Sequence, residues 1–257
     1  MTDLATQLRA LGMHYTAEHL DDLVAHATKS RTGARRLLER IVAEETKEKQ
    51  RRGLVRRLAR AKLGHFKTMA DFEWKWPQKI NRAAVESALE LDFIGAGANV
   101  VLVAPEGLGK TMIAKNIVHN TILAGHTALF ISAAELLLDL AGQESARALE
   151  RRLKHYARVG CLCIDEIGYL SYDTAHADLL FQLVSMRYEK KPLVLTTNLS
   201  FKQWPTIFPG AGCTVALIDR VVHHAEVITV EGESYRLREA KAASSKRRSS
   251  RRKKTAK

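Results

Sequence analysis

Three cysteines in 257 residues are too few for a disulfide scaffold, and their placement argues against a zinc site. Cys161 and Cys163 alternate within one apolar run and Cys213 stands far from both, so all three read as small buried or half-buried residues. Long apolar runs are missing too: none approaches the roughly 18 residues a membrane-crossing helix needs. The first residues carry no apolar core of a signal peptide. These absences point to a soluble, cytoplasmic protein without a membrane partner. A hydrophobic share of 46% is enough for an ordinary core.

Acidic residues are missing from one place in particular. Residues 241–257 hold 9 basic side chains and no acid, and residues 29–62 hold 13 basic against 4 acidic. The net charge of +13 therefore sits in two segments, while the rest of the chain is net acidic. Basic charge segregated in this way is the footprint of a nucleic-acid partner. The plainer alternative is a solvated face plus a solubilising tail.

The stretch that organises the chain runs from Asn99 to Thr111. A valine-rich run leads into Ala104, Pro105, Glu106, Gly107, Leu108, Gly109, Lys110 and Thr111, and a helical pattern opens at Met112. Strand, glycine-bearing loop and helix in this order are the parts of a P-loop. Gly107 and Gly109 let backbone N–H groups wrap a phosphate, and the helix N-terminus adds its positive end. Lys110 is placed to neutralise the β- and γ-phosphates of ATP, and the Thr111 hydroxyl to ligate Mg²⁺. One departure stands out: the G-x-x-x-x-G-K-[ST] pattern wants glycine at 104, and alanine fits there only if φ stays negative.

Around this element the chain reads in four parts. Residues 1–65 form a small all-helical module for DNA binding or oligomerisation. Leu4, Leu8 and Leu11 are helically spaced up to Gly12, and Thr16 is placed to cap a second helix with Leu20, Leu23 and Val24 inward. A third helix follows Gly33 with Leu37, Leu38, Ile41 and Val42 inward. It runs on, with an interruption possible at Gly53, to Leu63. Arg51, Arg52, Arg56, Arg57 and Arg60 cannot all share its apolar stripe and so form a cationic ridge suited to the DNA backbone. Residues 66–98 are a hinge with Phe72, Trp74 and Trp76; these rings either pack against the core, the plainer reading, or stack on adenine or bases. Residues 99–240 alternate strands and helices, which predicts a parallel sheet covered on both faces with ligands at the carboxyl ends of its strands. Residues 241–257 form a basic, serine-rich tail expected to be disordered.

Two of those strand ends carry chemistry. The run from Val159 to Ile164 delivers Asp165 beside the phosphates to hold Mg²⁺, directly or through water, and Glu166 to polarise an attacking water. Asn198 ends another strand, where it can orient that water or touch the γ-phosphate. His223 and His224 lie in a helical stretch where adjacent residues do not share a face; they read as interface or core polar residues rather than metal ligands.

Four further strings follow in order: Asp165-Glu166-Ile167-Gly168-Tyr169-Leu170, Thr196-Thr197-Asn198, Leu217-Ile218-Asp219-Arg220 and Gly232-Glu233-Ser234-Tyr235-Arg236-Leu237. With the P-loop they resemble the IstB family of ATP-binding transposition helpers of bacterial insertion sequences, from the helical module to about Arg238. The chain also resembles helicase loaders of the DnaC type, which share the AAA+ core. The resemblance implies an α/β AAA+ P-loop ATPase that forms a homo-oligomer with ATP at subunit interfaces. It implies assembly on double-stranded DNA and delivery of that DNA to a transposase. It further implies Asn198 as first sensor, Arg220 as an arginine finger acting in the neighbouring subunit's site, and Arg236, with Arg238 as the open alternative, as second sensor. The chain after Val230 is too short for the helical lid many AAA+ proteins carry, so closure over nucleotide is expected to need the adjacent subunit. Two other functions fit the same core: a replicative helicase loader, and a slow-turnover adaptor that acts only by binding.

Overall fold

The computed structural model describes residues 3–169, 172–210 and 212–239. Leu170 and the basic tail of residues 241–257 lie outside them. The chain divides into two compact units, one ending at Ala59 and the other beginning at Arg60.

The first unit is helical: α1 (Leu4–Ala10), α2 (His14–Glu18), α3 (Leu20–Lys29) and α4 (Ala34–Arg60). Helix α4 has 27 residues and is about 40 Å long at 1.5 Å per residue. It passes through Gly53 without a break, since one mid-helix glycine costs only about 1 kcal/mol. It stops at Arg60, before Leu63; Lys62 and Gly64 both have positive φ (55° and 56°) and turn the chain away. Thr16 is no cap. It is buried inside α2, where its N–H and hydroxyl both donate to the carboxylate of buried Glu45, at 2.8 and 3.0 Å. The inward stripe of α4 is also rotated from the expected one. Leu37 and Ile41 are half-buried and Glu45 is buried one turn further on, whereas Leu38 and Val42 are exposed. Residues four apart share a face and immediate neighbours do not, so the buried Glu45 sets which leucine turns inward.

The second unit is built on six strands: β1 (Lys79–Ile80), β2 (Asn99–Val103), β3 (Ala128–Ser132), β4 (Cys161–Ile167), β5 (Leu193–Thr197) and β6 (Ala225–Glu231). Their order is β1-β6-β2-β5-β4-β3. The five longer strands are parallel; β1 pairs antiparallel to β6 through Lys79↔Glu231 and Ile80↔Val230, a two-residue edge too short to leave a pattern in the sequence. Between them run α5 (Arg82–Glu90), α6 (Asp92–Ala96), α7 (Lys110–Leu123), α8 (Ala133–Ala141), α9 (Ala146–Arg158), α10 (Thr174–Arg187), α11 (Trp204–Ile207) and α12 (Thr214–Val222). Asn81, Ser132, Ser145 and Asp173 cap α5, α8, α9 and α10 through their side chains. Strands β2, β4 and β5 are buried nearly end to end, as parallel strands between two helical layers must be. Cys161 and Cys163 lie inside β4 at 0% exposure, and burial pushes the Cys161 thiol up to about 12. Arg187 is fully buried without a carboxylate; its guanidinium instead donates to five carbonyls, those of Tyr156, Ala157, Val159, Gly160 and Pro192. It thereby satisfies the carbonyl end of α9 and the turn into β4.

Candidate active site

The loop between β2 and α7 has the form the glycines require. Gly107 and Gly109 have φ of 78° and 89°, and a side chain at either would collide, with the Ser234 hydroxyl at Gly107 and with the Phe72 ring at Gly109. Ala104 is buried and is not among the non-glycine residues with positive φ. It belongs to a small apolar cluster with Leu108 and Val230, against which Trp76 and Ile80 pack, so alanine suits this position where the general pattern has glycine. Lys110, first residue of α7, turns its ammonium back into the loop and donates to the carbonyls of Ala104 (2.5 Å) and Pro105 (2.9 Å). Burial lowers its pKa, with Asp165, Glu106 and Glu166 acting against that shift. A buried ammonium held only by carbonyls is a ready partner for an anion.

Strand β4 brings two adjacent carboxylates to different surroundings by means of a bulge. Ile164 pairs with Leu195 and Ile167 with Thr197, so one extra residue of β4 is accommodated between them. Glu166 takes a left-handed φ of 64° there, a conformation costing about 1 kcal/mol or more for a side-chain-bearing residue. Asp165 stays buried while Glu166 is exposed. Thr196, fully buried on β5, joins the two: its hydroxyl donates to Asp165 (2.5 Å) and accepts the Glu166 N–H (2.8 Å). On the other side the Thr111 hydroxyl donates to the Asp165 carboxylate at 3.0 Å. A carboxylate and a hydroxyl in contact are the hard oxygen donors Mg²⁺ takes.

Lys110, Thr111 and Glu166 face one cavity of about 640 Å³, lined by residues 106–112, Glu166, Asn198, Tyr235 and Arg236 together with Lys67, Phe72, Glu73, Trp76 and Pro77. The Asn198 side-chain oxygen is buried there without a hydrogen-bond partner. Two rings of segment 66–77, Phe72 and Trp76, form part of the cavity wall. Trp76 donates to the Glu233 carbonyl at 2.8 Å, and Glu73 accepts from Tyr235 (2.9 Å) and Arg238 (2.8 Å), while the Tyr235 N–H donates to the Gly107 carbonyl. Arg238 also lies over the Trp76 ring. Arg236 thus lines the cavity while Arg238 is engaged by Glu73. Arg220 is elsewhere, on α12, bonded to the Ser185 hydroxyl and lying over the Phe181 ring of α10.

The family model described as IstB-like ATP binding protein matches residues 6–243. The chain belongs to the IstB-like ATP-binding family. It is 33% identical over 243 residues to a protein described as an ATP-binding protein of insertion sequence IS21 in Pseudomonas aeruginosa, covering 95% of this chain and 92% of that one. It is also 33% identical over 236 residues to the corresponding IS232 protein of Bacillus thuringiensis subsp. berliner, covering 92% and 94%. Among solved structures it is similar to DnaI (TM-score 0.54, 17% identity, 63% of this chain and 90% of that one). A second is AMPPCP-bound DnaA from Aquifex aeolicus (TM-score 0.53, 17% identity, 64% and 49%). At such identities these two speak for the fold alone, an AAA+ P-loop domain.

In this IstB-like chain the expected residues of the DNA ridge are unequal. Arg51 forms a two-bond fork with Glu48, and Arg52 reaches Glu45 and Glu48, so both charges are locally answered. Arg56 and Arg60 are exposed, and Arg57 is half-buried with an unpartnered Nε. Sequence reading passed over Lys49 and His14, which join Arg51, Arg52 and Arg56 around a second cavity of about 610 Å³ within the helical unit. It also passed over Thr196 as a link between carboxylates, although a threonine among apolar residues of a buried strand was the available signal. The two histidines differ from expectation as well. Helix α12 ends at Val222 with His223 as its C-cap and His224 beyond it; both histidines are exposed, not core, and their ring centroids lie 4.0 Å apart.

Proposed function

We propose that this chain is a Mg²⁺-dependent ATPase that assembles on double-stranded DNA and presents it to a transposase. The observation that carries the reading is the single cavity uniting Lys110, Thr111, Glu166, Asn198 and Arg236, with Asp165 behind Thr111, from four separate stretches of chain. Lys110 exchanges its two loop carbonyls for the β- and γ-phosphates, and the loop of residues 104–112 cradles them with the backbone N–H groups that follow Pro105. Thr111 and Asp165 hold Mg²⁺, which supplies charge neutralisation at the transferred phosphoryl group. Glu166 takes the proton of the attacking water; Asn198, whose oxygen is otherwise unpartnered, orients that water, and Arg236 pairs with a phosphate. Phe72, Trp76 and Tyr235 provide the apolar wall for the base. Arg220, outside its own cavity, acts in the site of a neighbouring copy. The domain roles follow: a DNA-contacting helical module to residue 65, the hinge to 98, and the ATPase core to 240. DNA contact falls to Arg56, Arg57, Arg60 and Lys49 more than to the acid-paired Arg51 and Arg52.

The experiment is DNA binding and electron microscopy with duplex and single-stranded DNA, with and without ATP. ATP-dependent assembly on duplex is expected. Preference for single strands turns the reading to a helicase loader, and binding without hydrolysis turns it to an adaptor.

A further inference from the structure

From the juxtaposition of Glu189, His223 and His224 at the paired ends of α10 and α12, we infer that this chain carries a second metal site, for a divalent transition-metal ion of the zinc type. One ligand atom from each of the three residues can be chosen so that all lie within 4.8 Å of one another. His224 Nε2 and the Glu189 carboxylate are 3.6 Å apart, near the roughly 3.4 Å that separates two ligands across a tetrahedral zinc with bonds of about 2.0–2.1 Å. An ion pair alone accounts for that contact, but not for the His223 ring, which is turned onto His224 with centroids 4.0 Å apart. His223 is also oriented from behind. Its Nδ1 is 2.6 Å from the Tyr188 hydroxyl, and the Tyr188 ring stacks on it. A hydrogen bond at one ring nitrogen that leaves the other free is the usual outer support of a metal-ligating histidine.

The backbone places these groups for a cation. Tyr188 is the C-cap of α10 and His223 that of α12, so the negative ends of two helices meet here. Glu189 follows its helix with a left-handed φ of 56°. Two imidazoles and one carboxylate are a donor set for zinc, nickel or cobalt rather than magnesium, which prefers an all-oxygen shell. Arg220 lies three residues before His223 in the sequence. A bound cation would therefore tie together the two helices that hold this arginine, through Ser185 and Phe181 on α10.

The test is a zinc titration of the full chain, without an added histidine tag, in excess Mg²⁺ so that the oxygen donors Thr111 and Asp165 are occupied. Wild type is expected to bind one Zn²⁺ that Glu189→Gln, His223→Ala and His224→Ala each lose or bind at least about 10-fold more weakly. Tyr188→Phe is expected to weaken binding by about 10-fold. Cobalt in place of zinc should give visible absorption in wild type and not in His224→Ala. All three ligand side chains are exposed, so the variants retain the fold, which circular dichroism checks. Lys110→Ala should leave the zinc equivalent intact, which separates this site from the nucleotide cavity. The inference is overturned if wild type binds no zinc under these conditions, or if the three ligand variants bind it as wild type does.

Discussion

Lys110 and Glu166 line the same cavity with opposite charges, and on the proposed function their variants should part accordingly. Lys110→Ala removes the cation that offsets the phosphates and should abolish ATP binding. Glu166→Gln keeps the side chain's shape but removes the base, so nucleotide should still bind while phosphate release stops. Fluorescent-nucleotide titration alongside a phosphate-release assay distinguishes them, and equal loss of binding in both would contradict these roles. Thr196 allows a subtler test, because it is fully buried behind the two carboxylates and does not line the cavity. Thr196→Val keeps the volume but removes both the donor to Asp165 and the acceptor for the Glu166 N–H. Hydrolysis should fall about 10- to 100-fold, the usual scale for an outer-shell partner, with nucleotide affinity changed much less. Thr196→Ser, which retains the hydroxyl, should recover most of the rate; failure of that rescue would make Thr196 merely a packing residue.

At the scale of elements, the helical turn at residues 235–239 is held beside the cavity by its bonds to Glu73. The bonds from Tyr235 and Arg238 lower the Glu73 pKa below its usual 4.5. A carboxylate depressed in the folded state stabilises above its unfolded pKa, and that contribution is lost as pH falls through the folded value. The clasp should therefore be intact above pH 4.5 and loosen only below it, seen as a tryptophan-fluorescence change absent from Glu73→Gln. Helix α4 makes a different prediction. Replacing Lys49 and Arg56 with alanine should reduce the salt slope of duplex binding by about 0.9 for each phosphate that is no longer neutralised. The Arg51→Ala change should matter less, because its charge is already spent on Glu48. A larger effect from Arg51 would reverse this ranking.

For the whole molecule, Arg220 lies on α12 against Ser185 and Phe181 and does not line the chain's own cavity, so the proposed finger role requires assembly. Arg220→Ala should cost about 10³-fold or more in hydrolysis if it contributes as arginine fingers do. Mixed with Glu166→Gln subunits it should regain activity, because one interface then joins an intact finger to an intact base. No recovery in oligomers shown to be mixed would rule out action between subunits.

Local pattern was enough for the alternating strands and helices, the P-loop, and the acids of β4, because each is written in contiguous residues whose spacing matches one backbone geometry. The prediction of a parallel sheet with ligands at its carboxyl ends follows from that alternation alone, and the family from the strings between Asp165 and Leu237. Contacts between distant stretches needed the tertiary structure. The Thr16–Glu45 bonds, 29 residues apart in sequence, decided which face of α4 turns inward. The clasp joins Glu73 to Arg238 across 165 residues, and the β4 bulge gave neighbouring acids unlike surroundings. The contact of the His223 and His224 rings is likewise not written in their adjacency. Periodicity records which residues share a face of one element, whereas burial and partnership depend on what the rest of the chain brings to that face.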